Sequence, residues 1–231
     1  IITSVAEHNS VLRPINYLRA KGAEVSYINV FENGVLNLEE LSKLVKANTK
    51  GIVLTHASNV TGNITDIRKV GDFCRENNLI FVVDASQTAG AFNIDMKEMN
   101  IDVLCFTGHK SMLAPQGVGV LCVREEIYIR PLIVGGSGTH SYDEFQPDKM
   151  PTRLEAGTLN AHGIAGLHVS IEYILRNKME NLTKRALELS RKFYDGVSKL
   201  PDVKIYGDFE TEYRAPIVSL NISDMDSSEV S

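Results

Sequence analysis

Short apolar runs alternate with amphipathic stretches along most of this chain, and the runs end in polar clusters. Gly51–Thr55, Leu79–Val83, Val103–Phe106 and Val118–Val123 are each only four to six residues long and show no polar/apolar alternation. Runs of that kind are strands buried on both faces, the habit of a parallel sheet packed between helices. Ile1–Val5 and Glu24–Val30 read as two more strands. Between strands, Ser10–Ala20 reads as a helix, and Asn37 opens another whose Leu38, Leu41, Leu44 and Val45 fall at helical spacing. Asp66–Asn77 carries Ile67, Val70 and Phe73 on one side. Strand and helix in alternation predict an α/β fold with a mostly parallel sheet covered by helices on both sides.

The pattern changes along the second half. Gly135–Met150 is rich in Gly, Ser and Asp and reads as a long loop, a length that compact domains usually keep for function. Ile164–Asn177 and Asn181–Leu200 are long helical patterns, followed by short strands at Val203–Tyr206 and Pro216–Ile222. These predict a large domain over residues 1–160 and, over 161–231, a connecting helix with the start of a smaller α+β domain. The abrupt opening at Ile1-Ile2 and a closing Asp224–Ser231 that resembles a helix just begun are expected of a piece of a longer protein.

Composition narrows the function classes. A net charge of -5 without a basic block gives no electrostatic case for nucleic acid or an anionic membrane. No apolar run nears the roughly 20 residues needed to cross a bilayer. Three cysteines without a C-x-x-C pair are expected to be reduced thiols in a cytoplasmic protein, and no metal site is suggested.

In open α/β sheets, ligands gather at the carboxyl ends of the strands. Four polar clusters fall there: Glu7-His8-Asn9-Ser10, Ser58-Asn59-Val-Thr-Gly62, Asp84-Ala-Ser-Gln87 and Thr107-Gly-His-Lys110. Singly, each has an ordinary explanation: a solvated lysine, a capping aspartate or histidine, amides that satisfy backbone groups. Jointly they supply what pyridoxal phosphate needs. A lysine and an aspartate at successive strand ends can hold the ring from opposite sides. Lys110 would form a Schiff base with the aldehyde, and Asp84 would keep the ring nitrogen protonated.

These strings, with Glu155-Ala156-Gly157-Thr158, resemble in order and spacing the class V aminotransferase fold, and more narrowly the cysteine desulfurase and selenocysteine lyase group. The resemblance runs from residue 1 to about residue 222. It implies the fold-type I large domain of pyridoxal phosphate enzymes. It implies that Lys110 is the Schiff-base lysine, that His8 stacks on the ring, that Asp84 pairs with the ring nitrogen and that Gln87 bonds the phenolic oxygen. Asn59 would lie near that oxygen and the substrate carboxylate, and Thr107 and His109 would hold the phosphate. Thr158 would reach the phosphate of a neighbouring subunit, which implies a homodimer. The implied reaction converts cysteine to alanine and passes sulfur to an enzyme cysteine, with a sulfur-acceptor protein downstream.

The chain departs from that family in two respects. A glycine- and threonine-containing phosphate turn would precede Ile1, and the nucleophilic cysteine and a substrate-binding arginine would follow Ser231. The stretch by itself is therefore expected to bind cofactor weakly or not at all. Cys74, Cys105 and Cys122 match no nucleophile motif and are expected to be core residues. Arg153 is expected to hold its loop or an interface acid rather than substrate. Two other readings use the same residues: another class V chemistry, an aminotransferase or a β-eliminating lyase, and a non-catalytic α/β scaffold.

Overall fold

A computed structural model describes residues 1–230. Six strands form the main sheet: β1 (Ile2–Ser4), β2 (Ser26–Ile28), β3 (Gly51–Thr55), β4 (Ile80–Asp84), β5 (Val103–Thr107) and β6 (Gly119–Val123). Their spatial order is β2-β1-β3-β4-β5-β6. All pairs are parallel except β5 with β6, so the sheet is mostly parallel, as expected.

From the β1/β3 boundary the chain moves outward in both directions. Right-handed crossovers therefore put helix α1 (Asn9–Ala20), between β1 and β2, and helix α3 (Ile67–Glu76), between β3 and β4, on opposite faces of the sheet. Each starts at a side-chain cap. His8 Nδ1 accepts from the Ser10 amide at 3.1 Å, and an Asp66 oxygen accepts from the Lys69 amide at 3.0 Å.

The two faces differ in coverage. On one, Ile52, Leu54, Phe81, Val83 and Leu104 form the dry core with Ile67, Val70 and Cys74 of α3. Gly71 lets α3 approach closely, because a Cβ there would lie 1.9 Å from the Met99 carbonyl oxygen. The other face is only partly roofed by α1 and by the Met150–Leu154 segment, leaving a cavity of about 710 Å³ above Val53, Val82, Cys105 and Leu121. Helical cover on both sides is present, but incomplete on this one.

The helix expected from Asn37 is a 3-10 turn, Leu38–Glu40, followed by a single α turn, α2 (Leu41–Leu44). No side chain caps either piece, and one turn alone is marginal, so burial of Leu41 holds it in place. Residues 124–151 contain no helix or strand. Helices α4 (Ala161–Asn177) and α5 (Met179–Val197) follow, with Ile174 of α4 in the main core. Strands β7 (Val203–Tyr206) and β8 (Ser219–Ile222) then pair antiparallel in a separate sheet, and a short helix α6 (Ser227–Val230) comes last.

Candidate active site

The cavity lies over one sheet face and reaches the carboxyl ends of β4 and β5 at Asp84 and Thr107, the end at which an open α/β sheet places ligands; of the residues expected at the site, His8, Asn59, Gln87, His109, Lys110 and Thr158 are not in its lining. Register sets the ends of β3 and β4 level, Thr55 pairing with Asp84, while Asp84 pairs with Cys105 and β5 runs on to Thr107. The loops after β4 and β5 pack directly on each other. Gly90 has φ +82, and a Cβ on it would lie 2.6 Å from the Ser111 carbonyl oxygen. Only glycine fits a left-handed turn pressed against a neighbouring backbone in this way. That contact draws the residue after Lys110 against the loop that begins at Asp84.

Asp84 and Thr107 line the cavity, together with Ser86 and Ser10. One Asp84 oxygen accepts from the Ser86 amide at 2.9 Å, and Asp84 enters no ion pair among the described residues. His8 and His109 stand one hydrogen bond back from the cavity wall: His8 Nδ1 is 2.8 Å from Ser10 Oγ, and His109 Nδ1 is 2.6 Å from Thr107 Oγ1. Lys110 is half-buried, and its amine has neither an ion-pair nor a hydrogen-bond partner among the described residues. The side chains of Gln87, half-buried, and Asn59 and Thr158, both exposed, are likewise unbonded to the chain. A free amine, a carboxylate with one uncommitted oxygen and two free amides on neighbouring strand ends fit a polar aromatic cofactor.

Sequence reasoning passed over the groups that support this rim. Glu7 is 7% exposed. One of its oxygens accepts from Ser4 Oγ at 2.6 Å and the other from the Thr55 amide at 2.7 Å. β1 parts from β3 after Ile2, so Glu7 replaces the ladder acceptor that Thr55 lacks. Burial pushes its carboxyl up to about 7, against the pull of those two hydrogen bonds, and Asp84 adds a smaller push. His56 is 1% exposed and its Nδ1 is 2.8 Å from Thr88 Oγ1, joining the loops after β3 and β4. Burial pulls its pKa down to about 4. Position offered a signal for both: Glu7 lies beside His8, and His56 directly extends an apolar strand.

The cysteines are poor nucleophiles. Burial pushes the Cys74 thiol up to about 12 and the Cys105 thiol up to about 11, with a lesser push on Cys105 from Asp84, and burial also raises Cys122. Arg153 holds its loop as expected. Its Nε is 3.0 Å from an Asp148 carboxylate oxygen, and its guanidinium lies 4.4 Å from the Tyr128 ring centroid.

Comparison with known proteins now decides the family. The family model described as aminotransferase class V matches residues 1–231. The chain belongs to the aminotransferase class V family. It is 30% identical over its whole length to a probable cysteine desulfurase of Methanothermobacter thermautotrophicus, of which it covers 58%. It is 34% identical, over 96% of its length, to the cysteine desulfurase IscS of Vibrio campbellii, of which it covers 52%. Its fold superposes with a TM-score of 0.91 and 32% identity on the cysteine desulfurase of Thermococcus onnurineus, covering 99% of this chain and 58% of that one. The chain thus spans little more than half the length of the relatives it matches. No described helix is long and apolar enough to cross a membrane.

Proposed function

We propose that this chain is the cofactor-binding part of a pyridoxal phosphate-dependent cysteine desulfurase, with residues 1–160 forming the cofactor domain and 161–231 beginning a second one. The observation that carries this reading is the pair at adjacent strand ends: a lysine amine and an aspartate carboxylate, neither spent in an ion pair. When bound, pyridoxal phosphate supplies an electron sink for bonds at the substrate's Cα. Asp84 would stabilise a proton on the ring nitrogen, and His8, at the start of α1, would stack on the ring. Gln87 would bond the phenolic oxygen, and Asn59 would lie near that oxygen and the substrate carboxylate. Thr107 and His109 donate to the phosphate. Lys110 would hold the cofactor and, as a free amine, would be the group to move the Cα proton.

Cysteine is the proposed substrate because the named relatives are cysteine desulfurases. Its C–S bond breaks and its sulfur passes to an enzyme thiolate. The remaining three-carbon fragment takes up a proton and leaves as alanine. The accepting thiol is none of Cys74, Cys105 and Cys122, which burial keeps protonated. A cytoplasmic homodimer, with Thr158 completing the neighbour's phosphate site, and a protein sulfur acceptor complete the proposal. The test is turnover of L-cysteine by the natural full-length protein. Equimolar alanine and sulfide under reducing conditions, abolished in Lys110→Ala, is the expected result. Pyruvate released with ammonia and sulfide would instead assign a β-eliminating lyase, and mercaptopyruvate with its sulfur retained an aminotransferase.

A further inference from the structure

Arg214 lies outside the main sheet, yet it is 6% exposed and enters no ion pair among the described residues. Its guanidinium donates to three carbonyls on three segments: Asp208, Thr61 at 2.8 Å and Ile217 at 2.7 Å. It also lies 3.3 Å from the Phe209 ring centroid. A buried cation without a carboxylate is tolerated only where hydrogen bonds answer its donors.

Where it reaches is informative. The carbonyls of Val60, Thr61 and Gly62 directly follow Asn59, and all three accept from the region around β7 and β8: from Ser219 Oγ, from Arg214 and from the Ala215 amide at 2.8 Å. Gly62 has φ +73, and a Cβ on it would lie 2.9 Å from an Arg214 nitrogen, so the turn is shaped around the guanidinium. Asn63 Oδ1 accepts from the Asp208 amide at 2.8 Å. Ser58 closes the loop internally, its Oγ accepting from the amides of Val60 and Thr61 at 3.2 and 3.1 Å. Ser58 closes the loop from within, while residues 208–219 hold the carbonyls that follow Asn59 and set how the loop is placed.

We infer that Arg214 is a positioning residue for Asn59, so that the region carrying β7 and β8 sets the substrate side of the site. The inference rests on the desulfurase reading above. It is tested by a double-mutant cycle on the natural full-length protein, measuring KM and kcat for cysteine. Arg214→Gln should raise KM by about tenfold with kcat within about threefold, because ground-state placement and not chemistry is lost. Ser219→Ala should raise KM by about threefold. In an Asn59→Ala background neither change should add more than about 1.5-fold, since residues acting through one group are not additive. The visible absorbance of bound cofactor should persist throughout. Equal effects of Arg214→Gln with and without Asn59, or an unchanged KM in both single variants, would overturn the inference. If Arg214→Gln fails to fold, the Ser219→Ala cycle decides it by the same criterion. A wild type that does not turn over cysteine sinks the desulfurase reading, and this inference with it. Additivity in an active enzyme sinks this inference alone.

Discussion

At the strand ends, Glu7 and His56 (the wall) are buried and hydrogen-bonded by the chain itself; on the loops that follow β3, β4 and β5, Lys110, Asn59 and Gln87 (the rim) are half-buried or exposed and bonded to nothing in the chain. Strong pKa perturbation is often taken to mark reactive groups. Here Glu7 and His56 have large shifts and yet every sign of a supporting role, because their partners are the strand ends that they tie together. On the proposed reading, the chemistry would fall to the side chains left free for a ligand. The two regions should therefore respond to mutation in opposite ways.

The largest expected effect is at the rim. Lys110→Ala should lower kcat by about 10³-fold or more, combining loss of the covalent anchor with loss of the proton-transfer group. The same change should alter unfolding stability by less than about 1 kcal/mol, since its amine has no intramolecular partner to lose. Parallel kinetics and thermal unfolding would check both. A large loss of stability in Lys110→Ala would erase the contrast between rim and wall.

Next is a pH dependence that only the wall should produce. The Glu7 pKa is raised from 4.5 to about 7, so the folded state holds a proton that the unfolded state has released. Its contribution is complete below 4.5 and is lost as pH rises through about 7, amounting to about 3 kcal/mol. The His56 pKa is lowered from 6.5 to about 4, which is the opposite case. Its contribution is complete above 6.5 and is lost as pH falls towards 4, again by about 3 kcal/mol. Between pH 4.5 and 6.5 the two slopes oppose, leaving the wild type nearly flat with respect to this pair. Glu7→Gln should expose the His56 slope, so that stability drops on acidification by about 1.4 kcal/mol per pH unit. His56→Gln should expose the reverse slope. Urea unfolding across this range would show it, and identical pH profiles in both variants would refute the assignment.

A smaller effect separates shape from charge at Glu7. Glu7→Ala leaves the buried Thr55 amide without its acceptor and should cost about 1–3 kcal/mol. At pH 7.5, above the carboxyl's pKa, Glu7→Gln keeps an oxygen for that amide and should cost less than half as much as Glu7→Ala.

The same contrast bears on how much could be read from sequence. β3 was legible to the residue, and the flanking strands to within a residue or two, because apolar runs of that length suit little else. The polar clusters were legible as strand-end loops because polar groups that end such runs gather at one edge of a parallel sheet. The pair of short pieces after Asn37 was not, since helical spacing of Leu38, Leu41 and Leu44 cannot tell one buried turn from several. Glu7, His56 and Arg214 were hidden for a different reason. Their importance lies in contacts with Thr55, Thr88 and Thr61, and only the folded chain creates those. The open sheet face was invisible as well, because Val53 and Val82 over the cavity look like Leu54 and Val83 in the core.

The central claim is that Lys110 is the residue that holds the cofactor. Borohydride reduction of the natural full-length protein, followed by peptide mass mapping, tests it directly. The account predicts a pyridoxyl adduct on the peptide containing Lys110 and on no other. An adduct on a different lysine, or none after loading with pyridoxal phosphate, would contradict it.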